Sequence, residues 1–306
     1  MLSSRIEKIE NPIKDSSVEI FIKREDLLHP FVSGNKFRKL KYNLEAAEQL
    51  KAKTIVTFGG AFSNHIAATA AACHEKGLQS VGIIRGEELG EDLVKTLKGN
   101  DTLRFAQQMG MRFKFISREA YRKKDDSLFL EQLQNEYINS YIIPEGGTNH
   151  LAVIGCEEIL TKKDEQFDVI CCAVGTAGTI SGIINASADH QEVWGFPALK
   201  GDFLKKEISK FAKKKNYQLI IDYHFGGYAK VNDELVEFLN EFYKQNQIPL
   251  DPIYTGKMAF GIFDLIRRKK ITNKKILLIH TGGLQGIKGM NQKLIKKKKS
   301  ILTYEG

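Results

Sequence analysis

The chain has 306 residues, with 46 Lys+Arg against 37 Asp+Glu and a net charge of +9. Hydrophobic residues make up 42% and charged residues 27%, with 6 Pro and 26 Gly, so a folded globular protein is expected and disordered, collagen-like or linker-dominated chains are excluded. No window nears the roughly 20 unbroken apolar residues of a membrane span, and the start MLSSRIEKIENPIK lacks the apolar core of a secretory signal.

In chain order, TIVTF (54–58) reads as a strand that passes through a glycine pair into the helical, alanine-rich NHIAATAAACHEKG, with Gly77 as its stop. SVGII (80–84), FKFI (113–116) and YIIP (141–144) are the next strands. DVICCAV (168–174) is wholly apolar and runs directly into GTAGT; VWGF (193–196), YQLIID (217–222) and ILLIHT (276–281) continue the series. Helical patterns such as DELVEFLNEFYKQN and GIFDLIRRKK lie between them. Continuous apolar strands joined by helical crossovers imply parallel sheets covered on both faces. About nine strands suit two α/β units better than one. There is no repeat at a fixed period and no low-complexity linker.

The positive excess sits in short lysine clusters: Lys205, Lys206 and Lys210, Lys213 to Lys215, Lys269 and Lys270, and Lys296 to Lys299. Arginine and aromatic residues hardly interleave with them, so solvated helix faces and a basic tail are expected rather than a nucleic-acid site. Four cysteines (Cys73, Cys156, Cys171, Cys172) are too few for a disulfide framework and lack metal-ligand spacing. No metal site and a reducing, cytoplasmic location are the expectations.

In parallel α/β sheets, ligands bind where strands end and loops enter helices. Gly175-Thr176-Ala177-Gly178-Thr179 follows a strand and precedes ISGIINAS. Its small residues let backbone amides approach an anion, and the helix start and two hydroxyls add to the attraction. It is neither G-x-G-x-x-G nor a Walker loop. From these residues alone it reads equally as a phosphate cradle or a tight turn.

In Ser33-Gly34-Asn35-Lys36-Phe37-Arg38-Lys39-Leu40 a helix begins near Asn35, since Phe37, Leu40, Leu44 and Ala47 recur at helical spacing. Lys36 then lies in the first turn, where the dipole disfavours a cation. A lysine kept for solubility gains nothing there. One that must become a neutral imine gains a lowered pKa and better nucleophilicity. From this segment alone Lys36 still reads rather as an exposed lysine snorkelling from a helix start. Ser63-Asn64-His65 enters a helix after Gly59-Gly60, and a capping role would account for it alone. Pro252 to Lys257 and His280-Thr281-Gly282-Gly283 each read as a turn and helix start.

Taken together, these segments resemble one family. SGNKFRKL, Ser63-Asn64-His65 after Gly-Gly, PEGGTN (144–149), GTAGT, IYTGK (253–257) and HTGG (280–283) occur in its order and spacing. It is the group of pyridoxal-phosphate enzymes comprising 1-aminocyclopropane-1-carboxylate (ACC) deaminase and D-cysteine desulfhydrase. The resemblance runs from about Phe21 to Gly286. It implies a tryptophan-synthase-β-like fold (fold type II), α/β, with two open parallel-sheet domains and the cofactor between them. The larger domain is expected over 1–45 and 151–306, and the smaller, inserted one over 46–150. A homodimer is implied too.

The resemblance also implies roles. Lys36 forms an imine with pyridoxal 5′-phosphate and later shuttles the α-proton. Gly175, Thr176, Ala177, Gly178 and Thr179 hold the phosphate. Asn64 bonds the cofactor's 3′-oxygen, and Ser63 binds the substrate carboxylate. Tyr228 (in GGYAK) and Tyr254 flank substrate and cofactor, and Thr255 faces the pyridine nitrogen.

Thr255 bears most directly on the chemistry. The ACC deaminase branch has glutamate there, which keeps the nitrogen protonated and the ring a strong electron sink. A threonine hydroxyl leaves it largely neutral, which suits β-elimination of a good leaving group such as thiolate. The alternative is that Thr255 only caps the helix GKMAFGIF. Two positions depart from the pattern: Phe62 replaces a usual glutamine and Ala67 a usual arginine, so the surroundings of Ser63 are more apolar. The expected substrate is a small amino acid, D-cysteine first and ACC second, or another such as serine. A phosphate-metabolite binder without catalysis would not need Lys36. A nucleic-acid binder rests on the +9 charge alone.

Overall fold

A computed structural model describes residues 4–14, 16–201 and 203–305. Among these, ten strands occur in chain order: β1 (Ile6–Ile9), β2 (Glu19–Lys23), β3 (Thr54–Gly60), β4 (Gln79–Arg85), β5 (Met111–Ile116), β6 (Ser140–Ile143), β7 (Val169–Val174), β8 (Glu192–Pro197), β9 (Tyr217–Leu219) and β10 (Lys275–Ile279). The chain divides into two compact units. The larger comprises Met1–His29, Ser33–Asn35 and Val153–Gly306; the smaller comprises Pro30–Val32 and Lys36–Ala152. The helix Asn35–Gln49 therefore counts, from Lys36 on, with the smaller unit, ahead of the boundary that the sequence pattern draws at residue 46.

The larger unit is built on a six-stranded sheet of order β1-β2-β10-β7-β8-β9. All neighbours are parallel except the β1–β2 pair at one edge, with Ile6 opposite Lys23. The alternation of side chains in the central strands fills two cores. Val169, Cys171 and Ala173 of β7 face one, with Ile276 and Leu278 of β10. Ile170, Cys172 and Val174 face the other, with Leu277 and Ile279. A continuous apolar run is thus what a strand covered on both sides requires. Adjacent Cys171 and Cys172 consequently point into opposite layers, and neither is in a disulfide.

Strands β1 and β2 have no counterpart among the runs picked out in the sequence. Both are short and mixed with charges, and β2 pairs with β10, which lies at the far end of the chain. Lys23, at the end of β2, places its ammonium 2.5 Å from the Asp164 carboxylate, both side chains at most 2% exposed. Removing one partner of such a pair costs about 3–5 kcal/mol. At the other edge, β9 ends at Leu219 and the chain turns into a short 3-10 segment, so YQLIID is only half strand.

The smaller unit holds a fully parallel sheet of order β5-β4-β3-β6. The helix Asn64–Glu75 lies on it with Ala68, Ala71, Ala72 and Cys73 buried in one apolar cluster beside Ile55 and Ile143. Its small side chains let it pack closely on β3. The helix stops as the sequence suggests, with Gly77 at φ +67°, a conformation that favours glycine. Leu40, Leu44 and Ala47 join the same cluster from the helix Asn35–Gln49. Among the described residues no helix is long and apolar enough to cross a membrane.

Candidate active site

In the larger unit, β7 delivers the chain into Gly175–Thr179 and the helix Gly178–Ala186. Ala177 occupies the cap position at φ 63°, left-handed, with no side-chain cap bond, and the Gly178 amide donates to the Thr176 carbonyl at 2.8 Å. That conformation costs a non-glycine residue roughly 1–2 kcal/mol. It curls the loop so that amides gather at the helix start, where the first turn has no intrahelical acceptors. Small size at Gly175 has its own cause: a Cβ there would come within 3.2 Å of the Tyr254 ring.

The same unit anchors the residue before the lysine. The Asn35 side-chain amide donates to Thr179 Oγ1 at 2.7 Å, and its backbone N–H donates to the Thr281 carbonyl at 3.2 Å. Gly34, at φ +61°, lies so close to Thr281 that any Cβ would overlap the carbonyl oxygen. Asn35 and Thr281 thus tie Ser33-Gly34-Asn35 to both the GTAGT loop and HTGG. Asn35 was not singled out in the sequence; its place before Lys36 was the only signal.

Tyr254 and Tyr228 meet edge to face with ring centroids 6.1 Å apart. Tyr228 is on a loop whose backbone is left-handed at Phe225, Gly226, Gly227 and Ala229. The Lys257 ammonium holds this loop, donating to the His224 and Gly227 carbonyls, both at 2.9 Å. Burial lowers the Lys257 pKa to about 8, opposed by the charge of Asp251. Thr255 is the first residue of the helix Thr255–Arg267, and its cap position belongs to Tyr254. The capping alternative for Thr255 is therefore wrong. The helix start is closed by Asp251, whose carboxylate accepts from the backbone amides of Ile253 (2.9 Å), Tyr254 (2.8 Å) and Thr255 (2.8 Å).

In the smaller unit, Lys36 lies in the first turn of the helix Asn35–Gln49, partly buried, with no acidic residue beside it in that turn. Ser63 caps the helix Asn64–Glu75: its Oγ accepts from the Ile66 amide at 3.4 Å. The neighbouring Asn64 carboxamide has no hydrogen-bond partner among the described residues, although Asn64 is only partly exposed. Phe62 is 60% exposed, whereas Ala67 is buried in the helix.

Under this helix start lies a network that the sequence motifs did not assign. Thr57 Oγ1 donates to the Ile143 carbonyl at 2.8 Å, so it must accept from His65 Nε2, also 2.8 Å away. His65 Nδ1 is left as a buried acceptor without a partner. Burial, with the charges of Lys36 and Lys39, holds the His65 pKa well below its ordinary value and the ring neutral. Gly146 and Gly147 of PEGGTN are left-handed, and a Cβ on Gly147 would strike the His65 ring at 2.9 Å. The Lys39 ammonium donates to the Gly146 carbonyl and to Thr148 Oγ1, both at 2.9 Å. PEGGTN is thus a scaffold for the Ser63 helix start.

A family model described as pyridoxal-phosphate dependent enzyme matches residues 4–282. The chain is 35% identical over 298 residues to a Thermotoga maritima protein named, provisionally, as a 1-aminocyclopropane-1-carboxylate deaminase; the match covers 90% of this chain and 92% of that one. It is 32% identical over 312 residues to the mitochondrial bifunctional D-cysteine desulfhydrase/1-aminocyclopropane-1-carboxylate deaminase of Arabidopsis thaliana, covering 94% and 77%. A solved structure titled as an ACC deaminase homologue superposes with a TM-score of 0.83 at 28% identity, covering 97% of this chain and 94% of that one. The residues present suit the cofactor: a glycine-lined loop with helix-start amides for a phosphate, and a carboxamide at Asn64 with no other partner. The chain belongs to the pyridoxal-phosphate dependent enzymes, in the branch of the ACC deaminases and D-cysteine desulfhydrases.

Proposed function

We propose that the protein removes the α-proton of a small amino acid and eliminates its β-substituent, and that D-cysteine is the substrate. D-cysteine and water would give pyruvate, ammonia and hydrogen sulfide. The observation that carries this reading is the side chain at 255, a hydroxyl where ring-opening chemistry calls for a carboxylate. Thiolate departs readily whether or not the ring nitrogen carries a proton. An unactivated cyclopropane asks more of the ring, so D-cysteine makes the smaller demand on this site.

Pyridoxal phosphate, when bound, supplies an aldehyde that joins the substrate amine and a ring that draws electrons from the α-carbon. The rest is the work of side chains. Lys36 Nζ holds the cofactor and takes the α-proton; its first-turn position lowers the cost of becoming neutral. Gly175 to Thr179 bind the phosphate through amides and the hydroxyls of Thr176 and Thr179. Asn64 donates its free carboxamide to the ring's 3′-oxygen. Ser63 Oγ already accepts from Ile66, which leaves its proton to donate to a substrate carboxylate. Tyr254, packed on Gly175, and Tyr228 line the ring and the substrate.

ACC deamination to 2-oxobutanoate and ammonia is the second reading. It is favoured by the carboxylate of Asp251 directly behind Thr255. A homodimer and a cytoplasmic location go with either reading; four buried cysteines outside any disulfide support the latter. The test is a panel of D-cysteine, L-cysteine, ACC, D-serine and β-chloro-D-alanine, scored for 2-oxo acid and sulfide. Faster sulfide release from D-cysteine than 2-oxobutanoate formation from ACC is the expected result. The reverse ranking replaces the first reading by the second.

A further inference from the structure

The hydroxyl of Thr255 is not at liberty to act as a neutral donor. Thr255 Oγ1 donates to Asp251 Oδ2 at 2.5 Å and accepts the Asp251 backbone N–H at 3.2 Å. Both residues are at most 1% exposed. Three backbone amides on Asp251 already complete the closure of the helix start. Turning the Thr255 proton elsewhere would take a donor from a buried carboxylate oxygen, which is unfavourable. An alcohol oxygen has one proton and two lone pairs. Here the proton and one pair are committed within the dyad, and a single lone pair remains.

We infer that Asp251, acting through the Thr255 hydroxyl, keeps a proton on the pyridine nitrogen of the bound cofactor. This rests on the proposed placing of Thr255 at that nitrogen, and it bears on the second reading, ACC deamination, since it lessens the contrast between a hydroxyl and a carboxylate at 255. An oxygen with only a lone pair to offer accepts from N–H and repels a bare ring nitrogen. The dyad therefore supplies part of what a directly placed carboxylate would supply, and Asp251 is a positioning residue for the ring's proton. The charged and titratable neighbours are Lys257 and Tyr304, each coupled to the Asp251 charge.

The test reads the ring nitrogen itself. Holoenzyme loaded with cofactor labelled with nitrogen-15 in the ring is recorded by NMR in the wild type, Asp251→Asn, Thr255→Val and Thr255→Ser. The wild type and Thr255→Ser are expected at the pyridinium position. Asp251→Asn can donate its amide to Oγ1 and free the threonine proton, so its signal should move toward neutral pyridine. Thr255→Val should move it too, and this variant keeps the three backbone bonds of Asp251 should the Asn variant fail to fold. A neutral signal in the wild type overturns the inference, as does a pyridinium signal in either Asp251→Asn or Thr255→Val. Failure of the underlying site reading would show separately. Borohydride reduction and peptide mapping would then find the cofactor joined to a lysine other than Lys36, and the inference would fall with that reading.

Discussion

Two helix starts in this protein have the same outline and opposite chemistry. At Ser63 the chain leaves β3 through glycines and the serine hydroxyl accepts an amide of its own helix. At Ala177 the chain leaves β7 through a glycine and a left-handed alanine that offers no side chain to the amides. The first start caps one of its own amides, and beside it stand two side-chain donors, the Ser63 hydroxyl proton and the Asn64 carboxamide. The second has no side-chain cap, and its Gly178 amide turns back to the Thr176 carbonyl. Sequence alone makes both look like caps or turns; the difference lies in who accepts the first amides.

A third start, at Lys36, sharpens this contrast, and it is where the largest effect is expected. Lys36→Ala should abolish turnover and the covalent imine between cofactor and enzyme, while phosphate-held cofactor still binds; a cofactor that borohydride still fixes to the protein would remove Lys36 from its role. Next comes the uncapped start. Changing Thr176 and Thr179 together to Val should weaken cofactor affinity while far-UV circular dichroism is unchanged. Each lost bond to a charged acceptor is worth about 1.5–3 kcal/mol, and an unchanged titration would mean that the loop is only a turn.

At the capped start the expected loss is smaller. Ser63→Ala should lower stability by about 0.5–2 kcal/mol in urea unfolding and also raise the KM for the substrate. A stability loss with KM unmoved would leave Ser63 a cap and nothing more. The smallest effect concerns pH. His65 is held neutral in the folded state, its pKa lowered by burial and by Lys36 and Lys39. The unfolded chain takes up a proton below about pH 6.5 and the folded one does not, so stability should fall as pH drops through that value. His65→Gln should flatten this slope, and parallel slopes in the two proteins would contradict the assignment.

Much of this was legible in the residues. DVICCAV announces a strand buried on both faces, and the alternation of Val169 and Ile170 between two cores bears that out. The GTAGT and GNK segments each have a bland explanation alone, a turn and a surface lysine, and stand out only when read together with the other motifs. What escaped was non-local. Strands β1 and β2 depend on β10 for their pairing, and no local pattern reports that. Asp251 reads as a turn residue before Pro252; its grip on Thr255 appears only once the helix start is folded. Lys39 and Lys257 look like surface lysines, yet each is at most 2% exposed and donates to a glycine carbonyl in a turn.

The four cysteines give the folded protein a built-in clock. Cys73 belongs to the smaller unit, and Cys156, Cys171 and Cys172 to the larger; all four are buried. Burial pushes the Cys73 thiol up to about 12 and Cys171 well above its ordinary value, so neither offers thiolate to a reagent while its surroundings stay closed. The rate at which each thiol becomes alkylated is then set by how often its own unit opens. Mass spectrometry of the labelled peptides would time the opening of each unit separately, in one sample, without introducing any foreign probe.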